Sequence, residues 1–117
     1  MEEEIKRGQI LWVDFSSSDT DGHVQQGVRP ALVLSNDKAN KNSPVICVAA
    51  ITSRFKKFLP VHVPIECKNN GLKLRSTCML EQLKTIDKTA VIGYVDEISD
   101  DCLEKIDAAL KIQLQLT

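Results

Sequence analysis

Short apolar runs separated by polar turns dominate the chain and predict a mainly β domain. The segment 9–15 alternates as a half-buried strand does, with Leu11, Val13 and Phe15 on one face. Ile10 and Trp12 fall on the opposite face. A long polar segment, 16–27, follows and predicts an exposed loop.

The middle of the chain predicts a group of buried strands and one edge strand. The runs 31–35 and 45–52 are continuously apolar, as in strands that are covered on both faces, and a polar turn over 36–43 separates them. The basic connection 53–58 follows. The next strand, 59–66, contains two prolines, and because proline cannot donate to a ladder this strand is expected at an edge.

The last third predicts further strands and one helix. An Asn-Gly turn in the loop 68–75 precedes a strand at 76–80 that leads into 81–87, and 91–95 is short and β-prone. A helix is expected from Ser99, which can cap it. Its apolar stripe consists of Leu103, Ile106, Leu110 and Leu114. The predicted fold is α+β and mainly β: five to seven strands in a small barrel-like sheet with a C-terminal helix.

Composition indicates one soluble globular domain over residues 1–117, long enough to bury a core. The acidic N-terminus lacks the apolar core of a secretory signal, and the longest apolar run, 44–51, is too short to span a bilayer. The four cysteines form no CxxC pair, which favours reduced thiols. We therefore expect a cytoplasmic protein with no membrane partner.

The charge is unevenly distributed although the net charge is only −1. Residues 25–90 carry a net charge of +7, whereas residues 1–24 and 91–117 each carry −4. Such a basic middle could form a positive groove for a polyanion. The alternative is that these charges simply lie on solvated faces.

Most standard catalytic sites are missing from the sequence. It contains no HExxH, Walker or GxGxxG motif, and Asp14 and Asp19 are not spaced as metal ligands, so we expect no metal and no cofactor. His62 lies between two valines and is expected at the surface, while His23 falls in the polar loop without a nucleophile to pair with.

Polar side chains remain at the ends of the apolar strands. Arg29 precedes the second strand, residues 52–54 (Thr-Ser-Arg) follow the third, and residues 81–82 (Glu-Gln) follow the fifth. Neighbouring strands can bring such ends together, and a guanidinium beside a hydroxyl and an amide is a good receptor for a phosphodiester. Taken singly, each residue is also ordinary for a strand end.

Five motifs carry a family resemblance that spans essentially the whole chain. They are 7-RGQILWVDF-15, 27-GVRPALVLSND-37, 49-AAITSR-54, 59-LPVHV-63 and 80-LEQLKTIDK-88. In this order and spacing the sequence resembles the MazF/PemK family of toxin endoribonucleases from type II toxin–antitoxin pairs. The resemblance implies that Arg29 and Thr52 are the catalytic pair.

The resemblance also implies a fold, a reaction and partners. The fold would be a compact SH3-like barrel with short helices. The reaction would be metal-independent, sequence-specific cleavage of single-stranded mRNA, in which the 2′-hydroxyl attacks the phosphate and leaves 2′,3′-cyclic phosphate and 5′-hydroxyl ends. The expected partners are a second copy of the chain in a homodimer and a cognate antitoxin with an acidic, partly disordered segment. DNA would be contacted only through that antitoxin.

Further residues are candidates for RNA contacts around this pair. Basic and hydroxyl side chains would contact the backbone, and aromatic, imidazole and amide side chains would stack on or read bases. The candidates are Phe15, His23, Gln25, Ser53, Arg54, Lys56, Lys73, Arg75 and Gln82. Two alternatives remain open: a non-catalytic toxin of similar architecture that inhibits DNA gyrase, and an SH3-like module that binds RNA or peptide without cutting it.

Overall fold

The computed structural model describes residues 4–16, 27–54 and 59–116, and this part of the chain contains six strands and two α-helices. The strands are β1 (Gln9–Asp14), β2 (Val28–Val33), β3 (Val45–Thr52), β4 (His62–Pro64), β5 (Thr77–Asp87) and β6 (Val91–Glu97). The helices are α1 (Asp37–Asn42) and α2 (Asp100–Leu114), with a short 3-10 helix at Lys88–Ala90. The predicted α+β, mainly β class is confirmed.

The strands form one antiparallel sheet in the order β4-β5-β3-β2-β1-β6. The two ends of this sheet are joined by an isolated bridge between Cys67 and Ile98. On either side of the bridge, the Lys68 N–H donates to the Glu97 carbonyl at 2.9 Å and the Ser99 N–H donates to the Glu66 carbonyl at 2.8 Å. These contacts curl the sheet into a barrel.

Apolar clusters cover both faces of the central strands. The first cluster lies between the sheet and α2 and includes Ile10, Leu32, Ile51, Leu80 and Ile106, among others. The second cluster lies on the other face and consists of Leu11, Val13, Phe15, Ala31, Val33, Ile46, Val48 and Ile86. The alternation predicted for β1 and the two-sided burial predicted for β2 and β3 are therefore confirmed.

An irregularity in β5 sets the shape of one side of the barrel. Ala49 pairs with Leu83, but Ala50 pairs with Met79, so three residues of β5 bulge out between those two pairs. A bulge bends a strand and increases its twist. The first part of β5 thereby pairs with β4, which forms an end of the sheet as its prolines predicted.

The helices differ from the sequence-based expectations in two details. The predicted polar turn over 36–43 contains a helix, α1, because the Asn36 side chain caps the Ala39 N–H. Ser99 caps α2 as predicted, accepting from the Cys102 N–H at 3.1 Å. The predicted stripe is exposed at its end, since Leu114 faces solvent. Neither described helix is long and apolar enough to cross a membrane.

Candidate active site

The register between β2 and β3 brings the two predicted catalytic residues together. Ala31–Ala50 is the last pair between the two strands, and Arg29 and Thr52 lie two residues beyond it, each in its own strand. Arg29 thus lies within β2 rather than before it. Both side chains line the same groove.

A groove of about 670 Å³ opens where these side chains lie. Arg29, Thr52, Ser53 and Arg54 line it from β2 and from the end of β3, and Lys73 lines it from the loop before β5. The rest of its described lining is Trp12, Val28, Pro30, Ile51, Gly71, Leu72, Leu74 and Ser76. The groove therefore combines three cationic side chains with hydroxyl groups and apolar surface, which suits a chain of phosphates and bases.

The backbone that enters β2 holds Arg29 in this position. Gly27 has φ +79°, a conformation that side-chain-bearing residues rarely adopt, and its carbonyl accepts from the Phe15 N–H at 2.8 Å. The Arg29 side chain is exposed, and its Nη1 donates to the Val28 carbonyl at 3.2 Å. The glycine thus turns the chain so that the arginine two residues later faces the groove.

The Thr52 hydroxyl fixes the turn that follows β3. It accepts from the Arg54 N–H at 3.0 Å and donates to the Arg54 carbonyl at 2.8 Å. Ser53 and Arg54 are exposed, whereas Thr52 is half-buried. A phosphate oxygen could accept from the Thr52 hydroxyl once that hydroxyl rotates away from the Arg54 carbonyl.

The other predicted RNA contacts fall in different places. Arg75 lines a neighbouring depression that shares the segment 72–74 and Ser76 with the groove. Gln82 lies in the β5 bulge, where its Nε2 contacts the Met79 sulfur at 3.7 Å, and it is not part of the groove lining. The hypotheses for His23, Gln25 and Lys56 concern residues outside the described ranges.

Two predictions about aromatic rings were wrong. Phe15 is only 2% exposed because the curled sheet packs it into the second apolar cluster, so it cannot stack on a base. His62 is 8% exposed rather than at the surface. Its Nδ1 accepts from the Leu59 N–H at 3.3 Å, and its Nε2 lies 3.0 Å from Glu81 Oε2, to which it donates as the Nε2-protonated tautomer.

The cysteines take no part in the described lining of the groove. All four are free thiols, as predicted, and Cys78 and Cys102 are buried. Burial raises the pKa of both thiols above the ordinary value, so neither is a ready nucleophile.

Sequence reasoning missed the apolar and backbone part of the groove. Trp12 is 39% exposed there despite its place in a largely buried strand, and Leu74 in the same lining is also exposed. One available signal was Gly71 in the Asn-Gly pair, which had been assigned only to a turn. Another was that Trp12 is the only tryptophan of the chain.

Comparison with known proteins shows the family of the chain. Residues 6–114 match the model of the PemK-like, MazF-like toxins of type II toxin–antitoxin systems. The chain is 42% identical over 113 residues to the endoribonuclease EndoA of Bacillus subtilis, covering 96% of each protein.

Solved structures show the same fold. MazF from Deinococcus radiodurans superposes with a TM-score of 0.81 at 24% identity, covering 97% of this chain and 99% of that one. A mycobacterial endoribonuclease, solved in complex with its cognate antitoxin, superposes with a TM-score of 0.79 at 21% identity and 97% coverage of both chains. The chain belongs to the PemK-like, MazF-like toxin family of type II toxin–antitoxin systems.

Proposed function

We propose that the chain is an endoribonuclease toxin that cleaves single-stranded mRNA in the groove. The observation that carries this proposal is that Arg29 and Thr52, on adjacent strands, both line a groove that two further cations also line. The 42% identical Bacillus relative is an endoribonuclease, which supports RNA cleavage by this chain.

The proposed reaction is a transesterification within the RNA. The 2′-hydroxyl oxygen gives up its proton and bonds to the adjacent phosphorus, and the bond from phosphorus to the 5′-oxygen breaks. That oxygen takes up one proton and leaves as a 5′-hydroxyl, so no proton is gained or lost overall. The substrate thus supplies the nucleophile, and the protein needs to supply only charge, positioning and hydrogen bonds. The products are 2′,3′-cyclic phosphate and 5′-hydroxyl ends.

Arg29 and Thr52 have separate roles in this reaction. The guanidinium stabilises the additional negative charge of the phosphorane, because it is a planar donor that rarely gives up a proton. Thr52 holds a non-bridging oxygen or the attacking hydroxyl. The described lining of the groove contains no carboxylate and no imidazole, so we assign no general base to it.

The remaining cations bind the RNA backbone on both sides of the reacting phosphate. Arg54 and Lys73 both line the groove, and Ser53 adds a hydroxyl donor. Arg75, in the neighbouring depression, would extend this track by a further phosphate. Phosphate contacts fix the register of the strand but carry no sequence information, so base selection must come from other residues.

A cleavage assay tests the proposal directly. The purified protein is incubated with a defined single-stranded RNA in excess chelator, and the 5′ ends of the fragments are mapped. Discrete fragments with 5′-hydroxyl ends support the nuclease, and a 2′-deoxy substitution at the cut site should abolish cleavage there. Bound but intact RNA would instead indicate a binding module. Unbound, intact RNA together with inhibited gyrase would indicate the other class of toxin.

We also infer a cytoplasmic homodimer. Ile92 and Tyr94 on β6 are exposed and line a shallow depression together with Leu11 of β1, and this apolar surface is available for two-fold association. Light scattering should report twice the mass of the chain at micromolar concentration. A fully active monomer would overturn this inference.

The expected antitoxin is a protein with an acidic segment that is disordered when free. Residues 25–90 carry a net charge of +7, which attracts the phosphates of RNA. An acidic segment of the antitoxin would compete with those phosphates for the same donors, Arg29 and Arg54. Binding should weaken as salt rises. In a competition titration the antitoxin and the 2′-deoxy RNA analogue should exclude each other. Simultaneous, independent binding to one dimer would contradict inhibition by occlusion.

A further inference from the structure

One wall of the groove is a segment without regular secondary structure, Asn69–Ser76, here named the wall loop. Gly71, Leu72, Lys73, Leu74 and Ser76 all line the groove. A loop that carries binding residues must be held by contacts outside itself, since its own backbone forms no ladder.

The carboxylate of Asp96, on β6, provides such contacts. Its Oδ2 accepts from the Asn69 N–H at 3.1 Å and from the Gly71 N–H at 2.6 Å. Its Oδ1 accepts from Asn69 Nδ2 at 3.1 Å and from the Glu97 N–H at 2.7 Å. The residue is 1% exposed and is not part of the groove lining. The Asp96 side chain, which is outside the groove lining, therefore holds the start of the wall loop in place.

Asp96 makes these contacts as a charged group. Burial by itself raises the pKa of a carboxyl group, but the hydrogen bonds from Glu97, Gly71 and Asn69 together keep the pKa of Asp96 below its ordinary value. Only the ionised carboxylate can accept from all four donors, because a protonated carboxyl or an amide carries hydrogen on one of its two polar atoms.

The backbone of the wall loop fits closely against β6. A Cβ added at Gly71 would lie 2.6 Å from the Val95 carbonyl oxygen and 2.8 Å from Asp96 Oδ2, distances too short for any side chain. The preceding residue, Asn70, has φ +55°. The Asn-Gly pair thus turns the chain and also lets its backbone reach the Asp96 carboxylate.

We propose that Asp96 is a positioning residue for RNA binding: by holding Asn69 and Gly71 against β6, it keeps Lys73 in the lining of the groove that Arg29 also lines. This inference rests on the proposed function. Asp96 touches no substrate, and its effect passes through the backbone between Gly71 and Lys73. Loss of the carboxylate should therefore weaken RNA binding while leaving the reacting pair on β2 and β3 intact.

The first test is the kinetics of Asp96→Asn, which keeps the shape of the side chain but turns an amide donor toward backbone N–H groups. We expect KM for RNA to rise about tenfold, equivalent to one lost charged contact, with kcat within about twofold of wild type. The dependence of KM on salt should become shallower, because one fewer phosphate is neutralised. A KM and salt slope equal to those of wild type would overturn the proposal.

Coupling to Lys73 separates positioning from general destabilisation. Lys73→Ala should raise KM in the wild-type background but change it little in Asp96→Asn, because the lysine is already displaced there. Additive effects of the two substitutions would contradict the proposal. The matched control is Asp87→Asn, which also removes a carboxylate that accepts from a backbone N–H, that of Thr89 at 2.9 Å, but lies outside the described groove lining. It should leave KM unchanged.

Milder variants decide the matter if Asp96→Asn does not fold. Asn69→Ala removes only one of the four hydrogen bonds, and it should raise KM by a few-fold and speed amide hydrogen exchange at Gly71. An Asn69→Ala protein with faster exchange at Gly71 but an unchanged KM would overturn the proposal. Arg29→Ala is measured alongside. If Arg29→Ala still cleaves RNA, the proposed function is wrong. If Arg29→Ala is inactive but the Asp96 and Asn69 variants keep the KM of wild type, only the positioning role is wrong.

Discussion

Two arginines lie near opposite ends of β2, and their surroundings differ. Arg7 lies near the end of the strand: its Nε donates to the Leu34 carbonyl at 2.8 Å, and its Nη2 contacts Asp107 Oδ1 on α2 at 2.7 Å. Arg29, at the start of the strand, is exposed and lines a groove together with Arg54 and Lys73.

At the end of β2 near Arg7, polar groups are paired with one another by hydrogen bonds. The Arg7 N–H donates to Asp37 at 2.7 Å, and the buried Asn40 side chain donates to the Ser35 carbonyl at 2.8 Å. At the Arg29 end, the described lining of the groove is basic, hydroxyl-bearing or apolar. Gathering like charges costs some stability in the absence of a ligand, so the comparison suggests that one end stabilises the fold and the other is shaped for an anion.

The largest expected effect comes from removing the groove arginine. Arg29→Ala should lower kcat/KM for RNA by about 10²–10³, because a preorganised donor to the developing charge is lost, while the melting temperature stays close to that of wild type. Arg29→Lys should also lose most of its RNA cleavage, because an ammonium group cannot reproduce the two parallel hydrogen bonds of a guanidinium. The measurement is single-turnover cleavage together with thermal unfolding. Near wild-type cleavage by a folded Arg29→Ala would refute the assignment.

Thr52 gives the next largest effect and allows a sharper test. Thr52→Val keeps the branched shape but removes the hydroxyl that bonds the Arg54 backbone, and we expect roughly a 10²-fold loss of kcat. Thr52→Ser keeps the hydroxyl and should retain most of the activity. If the valine and serine variants cleave equally well, the hydroxyl has no role in the reaction, and Thr52 serves only the shape of the strand end.

The sequence was sufficient wherever local periodicity determines structure. The alternation of β1 and the Ser99 cap depend on neighbours within a few residues, and both predictions are confirmed. His62 was misplaced because its partner, Glu81, lies 19 residues away on another strand. The helix α1 was missed although its contacts are local, because its buried residue, Asn40, is polar and bonds to Ser35, so the segment shows no apolar stripe.

The groove was predictable only on one side. On one side, the polar ends of two adjacent strands were visible in the sequence, and the family resemblance implied the pair Arg29 and Thr52. On the other side, the position of the wall loop depends on the bridge that closes the barrel between Cys67 and Ile98 and on the hydrogen bonds to the buried Asp96 carboxylate. Such long-range closure leaves no periodic pattern in the sequence.

Arg7 should act on stability and not on cleavage. Arg7→Ala removes the donor to the half-buried Leu34 carbonyl as well as the ion pair, and we expect a loss of about 1–3 kcal/mol in the free energy of unfolding. Cleavage by the folded fraction should match wild type. Urea unfolding and single-turnover assays measure the two effects separately. A catalytic defect larger than that of Thr52→Ser, in a folded Arg7→Ala, would remove the distinction between the two ends.

The smallest effect is expected at Asp107, the partner of Arg7 on α2. The Asp107 side chain is 49% exposed, so water screens the pair, and Arg7 keeps its bond to the Leu34 carbonyl when the aspartate is changed. Asp107→Asn should therefore cost less than about 1 kcal/mol, and the cost should shrink further in high salt. Lys68→Ala, which breaks the exposed Lys68–Glu97 pair at 2.9 Å, is the matched control and should behave alike. If Asp107→Asn instead costs as much as Arg7→Ala at every salt concentration, the ion pair rather than the Leu34 carbonyl stabilises this end of the sheet.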